Sequence, residues 1–201
     1  MVLPNAAPAL PTLPGRDEAR SQLAVEGPLL AFAGRITKQK ALEVALDALA
    51  RVEGVTLAIA GDGPDLPDLR QRVATLGLDG RVRFLGALNR DGVLTLFRAA
   101  DASLLTSSWE NFPHTVVEAL AVGTPVIATA VGGVPELVRD GENGLLVSAG
   151  DRDALAAAVR RLIDEPGLRE RLADAAAPSV EHLRPDVLYA RLEAILWEVA
   201  R

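Results

Sequence analysis

Short, uninterrupted apolar runs alternate along this chain with longer segments whose polar positions recur every three to four residues. The apolar runs are "GPLLAFAGR" (27–35), "GVTLAIAGDG" (54–63), "RVRFLG" (81–86), "ASLLTS" (102–107), "PVIAT" (125–129) and "GLLVS" (144–148). Each is bounded by Gly, Pro or a polar residue and reads as a strand buried on both faces. Between them "KALEVALDALARV" (40–52) places Glu43, Asp47 and Arg51 at four-residue steps, one solvent stripe on an otherwise buried helix. "PDLPDLRQRVATLGL" (64–78) turns Leu66, Leu69, Val73 and Leu76 inward and stops at Gly77. Further helices are expected over 90–100, 113–123, 151–166 and about 167–176. A last amphipathic helix over 184–200 carries Leu188, Leu192, Ile195 and Val199 on one face. Residues 1–27, with Pro at 4, 8, 11 and 14, read as an extended connection. Strand and helix alternate about six times, which predicts an α/β fold. The expected form is a doubly wound, Rossmann-like parallel sheet of about six strands. Ligands of such sheets bind outside the carboxyl ends of the strands. The loops at 34–40, 61–65, 86–90, 107–113 and 129–136 are therefore the ones to inspect.

Composition narrows the function. The 201 residues are 49% hydrophobic, enough for one sizeable core, but only 3% aromatic, so Ala, Val and Leu must build it. The net charge is −6 and no basic run occurs, which argues against nucleic acid or a membrane surface as partner. There is no cysteine, hence no disulfide and no thiolate metal site. Neither a signal peptide nor an apolar stretch of membrane-span length is present, and a cytoplasmic location is expected.

In the first of those loops Gly34 permits a tight turn, and Arg35 and Lys40 set two cations beside a helix start. That suits a phosphate or diphosphate, although two ordinary surface cations would look the same. The GxxxxGK[ST] spacing is absent. "GDGP" (61–64) reads as a strand-to-helix turn with Asp62 near the cap, its glycine backbone free to line a ligand. "ENFPHTVVE" places Glu110 before a helix and Glu118 inside it. With Pro113 at the first helical position, the N–H groups of Phe112, His114 and Thr115 point out of the helix start as an anion site. A carboxylate accepts well from vicinal hydroxyls, such as those of a ribose or hexose; a solvated polar stripe is the plainer alternative. The glycine pair in "TAVGGVPELV" (129–138) offers backbone N–H groups or simply a tight turn. Asp151 and Asp153 resemble a metal-binding pair but stand at a helix start, where Asp caps. His114 and His182 have no ligand spacing, and no GxSxG occurs, so a hydrolase is not supported.

"FAGRITKQK", "LAIAGDGP", "VRFLG", "ENFPHTVVEALAVGTPVIATAVGGVPELV" and "DGENGLLV" follow one another in the order found in glycosyltransferase family 4, which this chain resembles over about 28–165. The resemblance implies a retaining hexosyltransferase of the GT-B fold, represented by its donor-binding half alone. It implies a donor domain over 28–183, an interdomain connection over 1–27 that includes "VLPN", and a helix over 184–201 that crosses back to an N-terminal acceptor domain. By the same resemblance Gly34, Arg35 and Lys40 meet the diphosphate of a UDP-, GDP- or ADP-sugar, and Glu118 holds the ribose. Glu110 meets hydroxyls of the transferred sugar together with the backbone of Asn111, Phe112, His114 and Thr115. Phe84 to Gly86 flank the base, and no metal or other cofactor is required. Two departures stand out: "ENFP" where Glu-Gly-Phe-Gly is common, and Ala41 where Gly often follows the Lys, the latter expected to be minor. With no acceptor domain in the sequence, the chain alone is expected to lack transferase activity, and its exposed cleft face and last helix to give weak self-association or poor order around 184–201. A free-standing nucleotide-sugar-binding module and a GT-B-fold epimerase remain as alternatives.

Overall fold

The computed structural model describes residues 9–199. Six strands form one parallel sheet: β1 (Leu29–Ala33), β2 (Thr56–Ala60), β3 (Val82–Gly86), β4 (Ala102–Leu105), β5 (Val126–Thr129) and β6 (Gly144–Val147). Their order is β3-β2-β1-β4-β5-β6. The chain therefore moves outward from β1 to β3, returns to lay β4 on the other side of β1, and moves outward again. This is the doubly wound arrangement expected, and its switch point lies between β1 and β4, which pair through Leu30 with Ala102 and Ala31 with Ser103.

Alternation along β1 and β2 feeds two cores. Leu30, Phe32, Leu57 and Ile59 pack with α2 (Leu42–Leu49), α3 (Leu66–Thr75) and α7 (Arg152–Asp164) on one face. Leu29, Ala31, Ala33, Ala58 and Ala60 face α1 (Arg16–Gln22), α4 (Arg90–Ala99), α5 (His114–Ala121) and α6 (Val134–Leu137) on the other. The alanines on that second face let the helices lie close to the sheet, which is how a chain so poor in aromatics fills its interior. α8 (Leu168–Ser179) contributes Leu168 and Leu172 to the first core and Ala176 to the second.

Five local features differ from the sequence reading. Asp47, expected on the solvent stripe of α2, is buried, because its carboxylate is drawn into pairs with Arg72 and Arg152. Residues 16–22 are helical rather than extended. The prolines all precede Arg16, and α1 carries Asp17 and Glu18 in its first turn and Arg20 in its last, which suits the helix dipole. Asp101 anchors it: its carboxylate accepts from Arg16 at 2.7 Å, from Arg20 at 3.4 Å and from the Leu29 N–H at 2.7 Å. The helix expected from Lys40 begins only at Leu42, because Lys38–Lys40 form a 3₁₀ turn and Ala41 adopts φ 46°, ψ 42°. That left-handed conformation costs a Cβ-bearing residue about 1–2 kcal/mol, so Ala in place of Gly is not a minor change for the backbone. Pro113 is the N-cap of α5 rather than its first helical residue. Finally, of the apolar stripe expected on α9 (Pro185–Val199), Leu188 is buried, Ile195 half-buried and Leu192 exposed; the Val199 side chain and residues 1–8 lie outside the described residues. No helix among the described residues is long and apolar enough to cross a membrane.

Candidate functional site at the switch point

The loops after β1 and β4 meet at the carboxyl edge of the sheet, and hydrogen bonds stitch them together. Thr106 Oγ1 donates to the Lys40 carbonyl at 2.8 Å, the Ser108 N–H to the Gln39 carbonyl at 2.8 Å, and Gln39 Nε2 to the Trp109 carbonyl at 3.0 Å. This brings Lys40 Nζ to 2.5 Å from Glu110 Oε1, across 70 residues of sequence. The same oxygen accepts from Ser107 Oγ at 2.6 Å. The Glu110 side chain is only 9% exposed. Its other oxygen, Oε2, accepts from no described residue and is not among the fully buried unpaired atoms, which leaves it an open acceptor.

Glu118 lies in α5, 14% exposed, with Oε1 accepting from Arg90 Nε at 3.1 Å. Arg90 opens α4, so this pair ties α4 to α5 beside the site. Arg35 is exposed and, among the described residues, makes no ion pair. At the start of α5 the N–H groups of Val116 and Val117 both turn back to the Pro113 carbonyl, whereas those of His114 and Thr115 have no partner among the described residues. Two unsatisfied donors at a helix start favour an anion. Phe112 packs partly into the core and meets His114 edge to face at 5.8 Å. The site thus joins an exposed cation, a paired cation, a half-satisfied carboxylate and a helix N-terminus, which is the equipment for an anion carrying hydroxyl groups nearby.

Two glycine pairs have a role different from the one the sequence suggested. A Cβ on Gly61 would stand 1.8 Å from the Gly34 carbonyl oxygen, and one on Gly63 2.1 Å from that of Ile36. A Cβ on Gly132 would stand 1.7 Å from the Glu110 carbonyl oxygen, and one on Gly133 2.2 Å from that of Asn111. These glycines are floors on which the two site loops rest. Their N–H groups are largely committed elsewhere: Gly61 to the Gly86 carbonyl, Gly63 to Asp62 Oδ1, Gly133 to the Asn111 carbonyl. Asp62 is a turn residue, its carbonyl accepting the Ile36 N–H at 2.9 Å.

Phe84 and Gly86 end β3, two strands from β1, and take no part in the bonds that join the two loops. The Phe84 ring packs partly into the first core under the Arg70 guanidinium, 4.4 Å above its centroid. Asp151 caps α7, accepting from Asp153 N–H at 3.1 Å and Ala154 N–H at 2.8 Å, while Asp153 pairs with Arg51. Among the described residues no group of three or more His, Cys, Asp or Glu is placed to hold a metal. His182 lies in the turn before α9. Ser107, Gln39 and Arg90 were missed by sequence reasoning. Ser107 stands three residues before Glu110, which is a weak signal; nothing in the sequence points to Arg90.

Residues 15–178 match the family model described as glycosyl transferases group 1. The lipopolysaccharide core biosynthesis glycosyltransferase LpsE of Rhizobium meliloti is 35% identical over 158 residues, covering 79% of this chain and 46% of that protein. A crystal structure of Anabaena Alr3699/HepE in complex with UDP superposes with TM-score 0.85 at 29% identity, covering 91% of this chain and 52% of that one. The same protein has also been solved in complex with UDP-glucose. The C-terminal domain of a group 1 family glycosyl transferase, LpcC, from Francisella tularensis superposes with TM-score 0.75 at 28% identity, covering 83% of this chain and 91% of that one. The chain thus spans about half the length of these full-length proteins and nearly all of the excised domain.

Proposed function

The chain belongs to the glycosyl transferases group 1 family, and from that premise we propose that it is the donor-binding half of a retaining hexosyltransferase of glycosyltransferase family 4. The observation that carries this reading is the meeting of Lys40 and Glu110 at the switch point, a cation and a carboxylate with one open oxygen. In the proposed complex Arg35 and Lys40 neutralise the diphosphate of a nucleotide sugar, beside the backbone of Gly34. Glu110 Oε2 accepts from a hydroxyl of the transferred sugar, flanked by the backbone of Asn111 to His114 and Thr115. Glu118 accepts from the ribose hydroxyls, and the strand end from Phe84 to Gly86 flanks the base. The Anabaena neighbour solved with UDP favours uridine among the candidate bases.

Transfer breaks the bond between the anomeric carbon and the diphosphate. Positive charge grows on the sugar ring and negative charge on the departing phosphate. Fixed cations and the free N–H groups of His114 and Thr115 answer the second of these, so the charge balance asks for no metal. Residues 28–183 form the donor domain in this reading, 1–27 the connection and 184–201 the helix that reaches back to an acceptor domain. Residues 1–201 alone would bind the donor without transferring it. The proposed place of action is the cytoplasm.

Calorimetric titration with UDP, GDP and ADP up to millimolar concentration tests the site, repeated on Arg35→Ala and Glu118→Ala. One nucleotide, UDP, is expected to bind. Each substitution is expected to weaken it on the order of tenfold or more, from the loss of about 1.5–3 kcal/mol of charge-assisted bonding. Binding that neither substitution changes would sink the assignment.

A further inference from the structure

Glu110 is held by two donors on one oxygen, and they are unlike each other. Lys40 is charged, partly exposed, and, on the donor-site reading above, also claimed by the diphosphate. Ser107 is neutral and fully buried. Its hydroxyl carries one proton, and that proton goes to Glu110 Oε1 at 2.6 Å. An ionised carboxylate only accepts, so the direction of this bond is fixed. The Ser107 backbone is itself pinned, its carbonyl accepting from Thr129 Oγ1 at 2.7 Å, and Thr129 is buried at the end of β5. A chain of bonds thus runs from β5 through the loop after β4 to the carboxylate.

From this we infer that Ser107 is a positioning residue for the sugar-binding carboxylate. When an anionic donor draws Lys40 toward its phosphates, the pull on Glu110 from that side weakens. Ser107 then remains as the protein donor that keeps Oε1 inward and Oε2 turned toward the sugar. The role rests on the donor-site reading but adds a residue to it. It acts on the sugar and not on the nucleotide, and the two effects separate experimentally.

The test compares UDP with a small panel of UDP-sugars (UDP-glucose, UDP-galactose and UDP-N-acetylglucosamine) on wild type, Ser107→Ala, Glu110→Ala and the double variant. The quantity read is the ratio of the UDP dissociation constant to that of the tightest UDP-sugar. Ser107→Ala is expected to lower this ratio about two- to tenfold, the worth of one net hydrogen bond, with UDP affinity held within about twofold. In the Glu110→Ala background, which removes the acceptor of the Ser107 hydroxyl, the same change is expected to have no further effect, because the two residues act as a unit. Ser107→Thr, which keeps the hydroxyl, is expected to restore the ratio. An equal fall in both backgrounds, or a loss of UDP and UDP-sugar affinity alike, would reduce Ser107 to a structural residue and overturn the inference. UDP binding with an unchanged ratio would overturn it while leaving the donor site standing. A wild-type chain that binds no UDP would overturn the donor-site reading, and this inference with it.

Discussion

A methyl group at position 132 would stand 1.7 Å from the carbonyl oxygen of Glu110, whereas at position 77 it would meet nothing within 4 Å. Both glycines have positive φ, +50° and +66°. The pair therefore separates backbone strain from loop placement. Gly77→Ala is expected to cost about 1–2 kcal/mol in urea unfolding and to leave nucleotide affinity alone. Gly132→Ala is expected to cost more and to abolish UDP-sugar binding, because the loop bearing Glu110 must move off its floor. If both variants bind alike, Gly132 does not set that loop. At this scale the sequence displayed the residue types but not their neighbours. Glu110, Glu118, Lys40 and Arg35 stood out as charged residues beside glycine or helix starts. That Lys40 touches Glu110, or that Glu118 touches Arg90, was illegible, since 70 and 28 residues of chain separate them. The left-handed backbone of Ala41 was equally hidden, because nothing about an alanine announces positive φ.

Helix starts were read from local chemistry, and α7 lets that reading be tested. Asp151 satisfies two N–H groups of its first turn, while Asp153 makes only an exposed pair with Arg51. Asp151→Ala is expected to lower stability by about 1 kcal/mol and Asp153→Ala by no more than about 0.5 kcal/mol, both by thermal or urea melts. Equal losses, or a stabilisation by added Mn²⁺ that disappears in both variants, would restore the metal-pair alternative. All six strands fell where continuous apolar runs placed them, because burial on both faces is a local pattern. Their ends came out shorter in the structure, since a ladder stops where its neighbour stops. The helix α1 was lost beneath the weight of four prolines, though its own seven residues contain none. What holds it is Asp101, some eighty residues away, which no local window includes.

At the scale of the molecule, most of the exposed large apolar side chains among the described residues lie on α9, where Leu196 is 59% and Trp197 68% exposed, with Val187, Tyr189 and Leu192 also open to solvent. Apolar surface gathered on one helix of an isolated domain favours association. Sedimentation velocity of residues 1–201 is expected to show concentration-dependent self-association, and Leu196→Glu with Trp197→Glu is expected to remove it with unchanged circular dichroism. A wild-type chain that stays monomeric throughout would refute this. The sequence by itself determined the fold class, the number of strands, the two-sided burial of the sheet and the residue types of the site. These depend on period and composition, which a chain carries locally. The tertiary structure alone decided that β1 and β4 are neighbours, and therefore which two loops share the site. It decided too that Lys40 and Ser107 converge on one oxygen of Glu110 and leave the other open. Those facts follow from how crossovers close in space and how one loop packs on another's glycines, and distance along the chain does not encode them.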